Sequence, residues 1–188
     1  MAGTVAVYGG SFNPPHVGHL MVSDWLRWTA RCDAVWWVPV RGHPFAKDLA
    51  PFEDRLALCE VAARLVGAEV CAVEGELPVP SYTVDTLTEL ARRHPGTSLR
   101  LVVGADVLPE TDRWKQWDVI EARFAPIVVG RAGAPPVPDA VTFPEVSSTE
   151  IRSRVRAGLP VDHLVPAGIL DRVRALWGHS SGAPPTIP

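Results

Sequence analysis

The sequence predicts an α/β protein built on a doubly wound parallel sheet, with helices on both faces and a small helical part at the C-terminus. Short runs rich in β-branched residues alternate with longer amphipathic segments, which is the pattern of a parallel sheet covered by helices. The second run, AVWWV, is apolar throughout, as expected of a strand buried on both faces. The unusual residues of the chain follow the strands, where open α/β sheets bind their ligands.

The first part of the chain contains two strands and two helices. Residues 4–8 are rich in β-branched side chains and precede a loop of Gly and Pro, so they predict the first strand. Residues 16–31 have the apolar spacing of a helix, and residues 34–38 form the apolar second strand. A long loop containing prolines follows at residues 39–51. Residues 52–66 again have helical spacing and predict the second helix.

The middle of the chain continues this alternation. Residues 68–73 predict the third strand, and a helix over residues 81–93 ends at the sequence His-Pro-Gly. Residues 99–103 predict the fourth strand and residues 126–130 the fifth. The segment at residues 131–139 is rich in proline, which predicts a loop.

The last part of the chain differs in character. Residues 141–143 predict a short edge strand, residues 148–157 a helix with a serine cap, and residues 166–177 the final helix. These elements together predict one Rossmann-like domain over residues 1–177. Residues 178–188 are small, polar or Pro-rich, and they predict a disordered tail.

The composition narrows the class of ligand. The net charge is −3, so no basic surface favours nucleic acid as a partner. No stretch approaches about 18 uncharged apolar residues, and no signal segment opens the chain, so the sequence predicts a cytoplasmic protein without a membrane span. The three cysteines lack metal-type or CxxC spacing. A small anionic ligand remains, for which helix N-termini and a few basic side chains suffice.

The segment GGSFNPPHVGH, which begins at Gly9, is the most informative part of the sequence. Gly9 and Gly10 follow the first strand and allow the backbone to pass close to a ligand. His16 and His19 are three residues apart at the start of a helix, so both imidazoles lie on one face near its positive end. Gly18 keeps that face open. Backbone N–H groups, the helix dipole and two imidazoles together predict a cradle for phosphate.

Two other interpretations compete with this phosphate cradle. Two surface histidines that only cap a helix explain a lone His pair, but they do not explain the whole string. A metal site needs a third His, Cys or carboxylate at ligand spacing, and none lies nearby in the sequence. The string also differs from GxGxxG, so an oxidoreductase loses its main support.

Further candidate side chains follow later strands. Ser147 or Ser148 caps a helix, and Arg152 emerges one turn later, where it either binds a phosphate or stays solvated. Asp106 stands at a strand end, where it either caps a turn or faces a ligand. Trp114 lies in the polar stretch DRWKQ, which predicts an exposed indole able to stack on an aromatic ring.

With these residues the chain resembles the nucleotidyltransferases related to class I aminoacyl-tRNA synthetases, whose mark is (H/T)xGH. More narrowly, it resembles the bacterial nicotinate-nucleotide adenylyltransferase family, which opens with GG(S/T)F(D/N)PxHxGH. Three further motifs of that family follow in order: PSYTVDTL from Pro80, GAD from Gly104 with Trp114 beyond it, and VSSTEIR from Val146. The resemblance covers residues 4–176.

The resemblance implies transfer of AMP from ATP to a pyridine mononucleotide, with Mg²⁺ bound mainly through the ATP phosphates. The implied catalytic residues are His16, His19, Lys47 and Arg152, with Arg41 and Arg55 as alternatives to Lys47. The residues implied to bind ATP are Gly9, Gly10, Ser11, Phe12, His16, His19, Gly104, Asp106, Ser148, Thr149 and Arg152. Those implied to bind the pyridine nucleotide are Asn13, Arg41, Tyr82, Thr83 and Trp114.

The sequence leaves the acceptor open. The family often carries Pro-Asn-Asn after the second strand, whereas this chain has PVRG from Pro39. Nicotinate mononucleotide is the favoured acceptor, and Arg41 offers a charge for its carboxylate. Nicotinamide mononucleotide and phosphopantetheine are alternatives, although PSYT and Trp114 argue against the latter. A non-catalytic nucleotide-binding module and an RNA-binding relative are alternatives of other classes. The sequence does not fix the oligomeric state, and a homo-oligomer stays open.

Overall fold

Parallel strands form one sheet at the centre of the protein. The strands are β1 (Thr4–Gly10), β2 (Ala34–Pro39), β3 (Glu69–Val70), β4 (Ser98–Gly104), β5 (Ile127–Arg131) and β6 (Thr142–Phe143). Their spatial order is β3-β2-β1-β4-β5-β6, which is the order of a Rossmann-like sheet and confirms the predicted fold class. The computed structural model describes residues 3–29, 31–42 and 48–178.

Helices connect these strands. They are α1 (Val17–Trp28), α2 (Phe52–Arg64), α3 (Thr83–Arg93), α4 (Trp117–Phe124), α5 (Ser148–Arg156) and α6 (Ala167–Trp177). Two 3-10 turns, Val73–Gly75 and Leu108–Arg113, lie in the connections after β3 and β4.

Apolar side chains on the two faces of the sheet form two cores. In β1, Ala6 packs with residues of α1, α2, α5 and α6, whereas Val5 and Val7 pack with residues of α3 and α4. The same alternation occurs in β4, where Val102 belongs to the first core and Leu101 to the second. Successive strand residues point to opposite faces, so these strands are buried on both sides.

Two elements differ from the sequence prediction. Helix α4 was not predicted: it has eight residues, no side-chain cap, and an entry through Gln116 with φ of 53°. A helix of that length gives little periodic signal. Strand β3 covers Glu69–Val70 instead of residues 68–73, because the chain turns into the 3-10 turn at Val73–Gly75.

The described part of the chain contains no helix that is long and apolar enough to cross a membrane. Of the predicted tail, residues 179–188 lie outside the described residues. The assignment of residues 1–177 to one domain stays a prediction.

Candidate active site

A cavity opens at the carboxyl ends of β1 and β4. Its volume is about 550 Å³. It lies where the strand order reverses, which is the usual ligand position in such sheets. Its wall contains predicted residues from both nucleotide groups, namely Gly9, Gly10, Ser11, Gly104, Asp106, Tyr82, Thr83 and Trp114. The structure therefore brings the two predicted binding regions together in one space.

The glycines of the opening motif are needed for different structural reasons. A Cβ on Gly9 would meet no protein atom within 4 Å, so Gly9 leaves its side of the backbone open. A Cβ on Gly10 would lie 3.2 Å from the Phe12 ring, and one on Gly18 would lie 3.0 Å from the His16 ring. Gly9 thus allows a ligand to approach, whereas Gly10 and Gly18 allow two rings to pack.

Phe12 does not line the cavity. Its side chain is buried with 1% exposure. The ring stacks on Trp37 at 4.9 Å between centroids and contacts His19 at 4.6 Å. The Phe12 ring thus forms the packed support beneath His19, and the assignment of Phe12 to ATP binding stays a prediction.

The two histidines lie against each other at the start of α1. Their ring centroids are 3.8 Å apart, and the backbone N–H of His16 donates to Nδ1 of His19 at 3.1 Å. Nδ1 of His19 is therefore an acceptor, which leaves the proton of the neutral ring on Nε2. Nδ1 of His16 is buried without a hydrogen-bond partner in the described structure. Neither imidazole lines the cavity itself, but His19 contacts the ring of Tyr8, which does.

Burial keeps both imidazoles neutral in the ligand-free protein. It lowers the pKa of His16 to about 3, with a smaller contribution from the nearby Arg131 cation. Burial also lowers the pKa of His19 well below its ordinary value, followed by the effects of His16 and Arg131. The histidines thus present ring N–H donors, and the fixed positive charge near them comes from arginine.

This neutrality predicts a specific loss of stability in acid. Because the folded pKa of His16 lies below that of the unfolded chain, the unfolded state binds the proton first as the pH falls below about 6.5. The free energy of unfolding should fall between pH 7 and pH 5 by roughly 2 kcal/mol on account of this group. Urea titrations at both pH values should show a smaller decrease for His16→Asn, because Asn does not bind a proton in this range. Asn is also a good helix N-cap, so the start of α1 should be retained. Equal decreases in the two proteins would contradict the neutral His16.

Arg131 is a functional candidate that the sequence prediction missed. It ends β5 and lines the cavity. Its guanidinium donates to Oδ2 of Asp106 at 3.0 Å and to the carbonyl of Val146 at 2.7 Å. It therefore joins the end of β4 to the start of α5. A charged residue directly after the buried run IVVG was the available signal, since the carboxyl end of such a strand faces the ligand side.

The start of α5 is built as the motif predicted. Ser147 is the cap, and its Oγ accepts from the backbone N–H of Glu150 at 3.1 Å. Ser148 Oγ donates to the carbonyl of Pro14 at 2.8 Å, and Arg152 donates to the carbonyl of Asn13 at 2.7 Å. The N-termini of α5 and α1 are thus held side by side. Thr149 is exposed beside them.

Asn13 bonds to the loop after β2 through its side-chain amide. Its side chain is 2% exposed. The amide donates to the carbonyl of Asp48 and accepts from the backbone N–H of Ala50, both at 3.1 Å. Asn13 therefore ties the loop after β2 to the phosphate motif, and its assignment to the pyridine nucleotide stays a prediction.

The three basic candidates in the loop after β2 and at the start of α2 differ in their surroundings. Lys47 lies outside the described residues. Arg55 is fully buried, and its guanidinium donates to the backbone carbonyls of Ser11, Arg41 and Ala50. It is therefore a tether for the loops and is excluded as a triphosphate ligand. Arg41 is exposed and donates to the carbonyl of Gly75 at 2.8 Å.

The pyridine candidates gather at the start of α3. Tyr82 and Thr83 line the cavity, and the Lys115 ammonium lies 5.0 Å from the centroid of the Tyr82 ring. Trp114 is half-buried and packs edge-on against Trp117 at 5.6 Å, so the prediction of a freely exposed indole is corrected. Its ring is still part of the cavity wall.

Several known proteins are similar to this chain in sequence. A family model described as cytidylyltransferase-like matches residues 7–154. The chain is 51% identical over 170 residues to a probable nicotinate-nucleotide adenylyltransferase of Anaeromyxobacter sp. (strain K), covering 88% of this chain and 91% of that one. The chain belongs to the nicotinate-nucleotide adenylyltransferase family. A second such relative, from Myxococcus xanthus, is 42% identical over 167 residues, with 87% of each chain covered.

A solved structure has a fold similar to that of this family member. Plasmodium falciparum nicotinic acid mononucleotide adenylyltransferase complexed with NaAD has a TM-score of 0.75 at 19% identity, and the match covers 90% of this chain and 94% of that one. The resemblance inferred from the motifs is confirmed, and the protein is a nucleotidyltransferase. The roles of individual residues stay predictions.

Proposed function

We propose that the protein transfers the adenylyl group of ATP to nicotinate mononucleotide, giving nicotinate adenine dinucleotide and pyrophosphate. The observation that carries this proposal is the single cavity that runs from Gly9 and Gly10 at the end of β1 to Tyr82 and Thr83 at the start of α3. One end of this cavity is proposed to take a nucleotide phosphate and the other end the acceptor. The cytoplasmic location predicted from the sequence belongs to the same proposal.

The reaction needs positioning and charge stabilisation more than a protein nucleophile. A phosphate oxygen of the acceptor attacks the α-phosphorus of ATP, and the bond from that phosphorus to the pyrophosphate oxygen breaks. The attacking phosphate is already anionic, so no side chain has to be deprotonated to create it. The protein lowers the barrier by holding both nucleotides in line and by donating hydrogen bonds to the developing charge.

The phosphates are proposed to bind where α1 and α5 begin. His19 Nε2 and a ring N–H of His16 are the donors proposed to bind a phosphate oxygen. Arg131 and Arg152 are proposed to supply positive charge to the phosphates, and both donate to backbone carbonyls. Lys47 keeps its predicted role at the triphosphate. Gly104 and Asp106 are the proposed ribose side of the cavity, and Ser148 and Thr149 belong to the phosphate end.

Mg²⁺ fits this site as an ion carried by ATP. The described residues contain no group of three or more His, Cys, Asp or Glu that could hold a metal. Mg²⁺ in nucleotide sites is bound largely by phosphate and water, so it needs no such group. When bound, it offsets charge on the leaving pyrophosphate.

The start of α3 favours an acid over an amide. The first N–H groups of a helix have no acceptor inside the helix, and its dipole is positive at this end. Those groups belong to the turn of α3 that borders the cavity at Thr83. A carboxylate on the pyridine ring can accept from them and gains from the dipole, whereas a carboxamide gains less.

Pyrophosphate release from Mg-ATP tests the reaction and the acceptor together. Nicotinate mononucleotide, nicotinamide mononucleotide and phosphopantetheine are supplied in parallel, with ATP alone as the blank. Fast release with nicotinate mononucleotide and slow release with the other two are expected. Silence with all three while ATP still binds, or release fastest with phosphopantetheine, would overturn the proposal.

Trp114 should affect the acceptor more than ATP. Trp114→Ala removes a ring of the cavity wall, and loss of one aromatic contact corresponds to a KM increase of up to about tenfold for nicotinate mononucleotide. The KM for ATP should change much less. Trp114→Phe keeps part of the packing on Trp117 and should lie between the two. Steady-state kinetics with each substrate varied in turn would measure this, and equal increases in both KM values would assign Trp114 to packing alone.

A further inference from the structure

A buried carboxylate lies beneath the acceptor end of the cavity. Glu74, in the 3-10 turn after β3, lines the cavity although only 5% of the residue is exposed. Ser81 Oγ donates to one of its oxygens and Thr86 Oγ1 to the other. Both hydroxyl residues are buried as well. We call Glu74, Ser81 and Thr86 the Glu74 clamp.

The Glu74 clamp holds both ends of one helical turn. Ser81 directly precedes Tyr82, the N-cap of α3, and Thr86 lies in the next turn of the same helix. The residues between them carry the first N–H groups of α3, and two of them, Tyr82 and Thr83, border the cavity. The same carboxylate also accepts from the backbone N–H of Arg41 in the loop after β2, at 3.4 Å. One acidic side chain therefore connects three segments that meet at the acceptor end.

The chemistry of the clamp also limits what the cavity offers to an acceptor. An ionised carboxylate only accepts hydrogen bonds, and here each oxygen already accepts one from a hydroxyl group. The carboxylate keeps spare lone-pair capacity. It lies in the buried wall of the cavity, however, with 5% of Glu74 exposed, so an acceptor carboxamide has little access to it. A carboxylate group of the acceptor depends instead on the N–H groups of the turn that the clamp orients.

From these contacts we infer that Glu74 is a positioning residue for the acid group of the acceptor, acting through the first turn of α3. This inference rests on the proposed function, because it assumes that a pyridine carboxylate binds at this turn. Glu74 does not touch the reacting phosphates, which are proposed to bind at the starts of α1 and α5. Its effect should therefore appear in acceptor binding and in the preference for acid over amide.

The test is steady-state kinetics of the full-length protein with both acceptors. Glu74→Ala should raise the KM for nicotinate mononucleotide by about tenfold or more, the size expected from losing buried hydrogen bonds, while the KM for ATP stays within about twofold. The ratio of kcat/KM for the acid over the amide should fall. Glu74→Gln should recover most of the loss, because its amide can accept from one hydroxyl and donate to the other.

Two single-hydroxyl variants and one control complete the experiment. Ser81→Ala and Thr86→Val each open one side of the clamp and should move the same ratio in the same direction, and they keep the test decisive if Glu74→Ala does not fold. Glu76→Ala removes a nearby exposed glutamate, paired with Arg93, and should leave the ratio unchanged. Parallel losses for ATP, acid and amide that follow the melting temperature would show a purely structural role and overturn the inference.

The wild-type protein separates this inference from the proposed function. A wild type that releases no pyrophosphate with nicotinate mononucleotide would overturn the proposed function and the inference with it. An active wild type whose acid-to-amide ratio is unchanged in Glu74→Ala, Ser81→Ala and Thr86→Val would overturn the inference alone.

Discussion

His19→Asn is expected to lower kcat by about 10²- to 10³-fold, the usual cost of losing one donor to developing charge, with the fold retained. The Asn side chain is short, so its oxygen can still accept from the backbone N–H of His16, as Nδ1 of His19 does. What it lacks is the ring N–H on Nε2. Steady-state turnover with saturating substrates measures the loss, and near-UV circular dichroism reports the fold.

The control for this variant is His163→Asn, which changes an exposed histidine that does not line the cavity. It should retain wild-type turnover. His19→Ala is a less clean test, because the ring of His19 also packs on Phe12 and its removal leaves a gap. A threefold change in turnover corresponds to roughly 0.6 kcal/mol in the barrier. If the turnover of His19→Asn stayed within threefold of the wild type, the phosphate-donor role would be wrong.

Arg55→Met is expected to lower the free energy of unfolding by about 3 kcal/mol, since three part-buried carbonyls lose their donor at about 1 kcal/mol each. The guanidinium is 1% exposed and makes no ion pair in the described structure. Methionine has a similar length but no donor. Activity should fall as well, because Ser11 and the loop after β2 lose a shared attachment.

Urea unfolding followed by circular dichroism gives this number. Arg64→Met, in the same helix but exposed, is the matched control and should stay within about 0.5 kcal/mol of the wild type. A similar small effect for Arg55→Met would mean that water or other groups satisfy the three carbonyls, and the tether would be of minor importance.

The sequence predicted elements well where their patterns are long or strongly apolar. The buried run AVWWV gave β2, and the serine cap gave α5. Helix α4 escaped prediction because it is short and has no capping side chain. The true extent of β3 depends on where the chain turns away from β2, which is a tertiary effect that no local pattern records.

Prediction of the site was limited by the directions of side chains. The motif identifies Phe12 and Asn13 as members of the phosphate segment. In the folded chain, however, the Phe12 ring packs in the core, and the Asn13 amide bonds to backbone groups. Arg131 and Glu74 lie outside the recognised motifs, so only the folded chain brings them to the cavity. A linear motif reports which residues are required and does not report which of them face the ligand.

The last residues of β1 have a consequence for nucleotide binding. Gly9 and Gly10 do not begin a free loop: they pair in register with Val38 and Pro39 of β2. Free glycine is the most mobile residue of a chain, and ordering it on ligand binding would weaken affinity. Here the sheet has already ordered it. The entropy of fixing this backbone therefore belongs to folding, and a nucleotide that binds there as proposed meets a surface whose shape already exists.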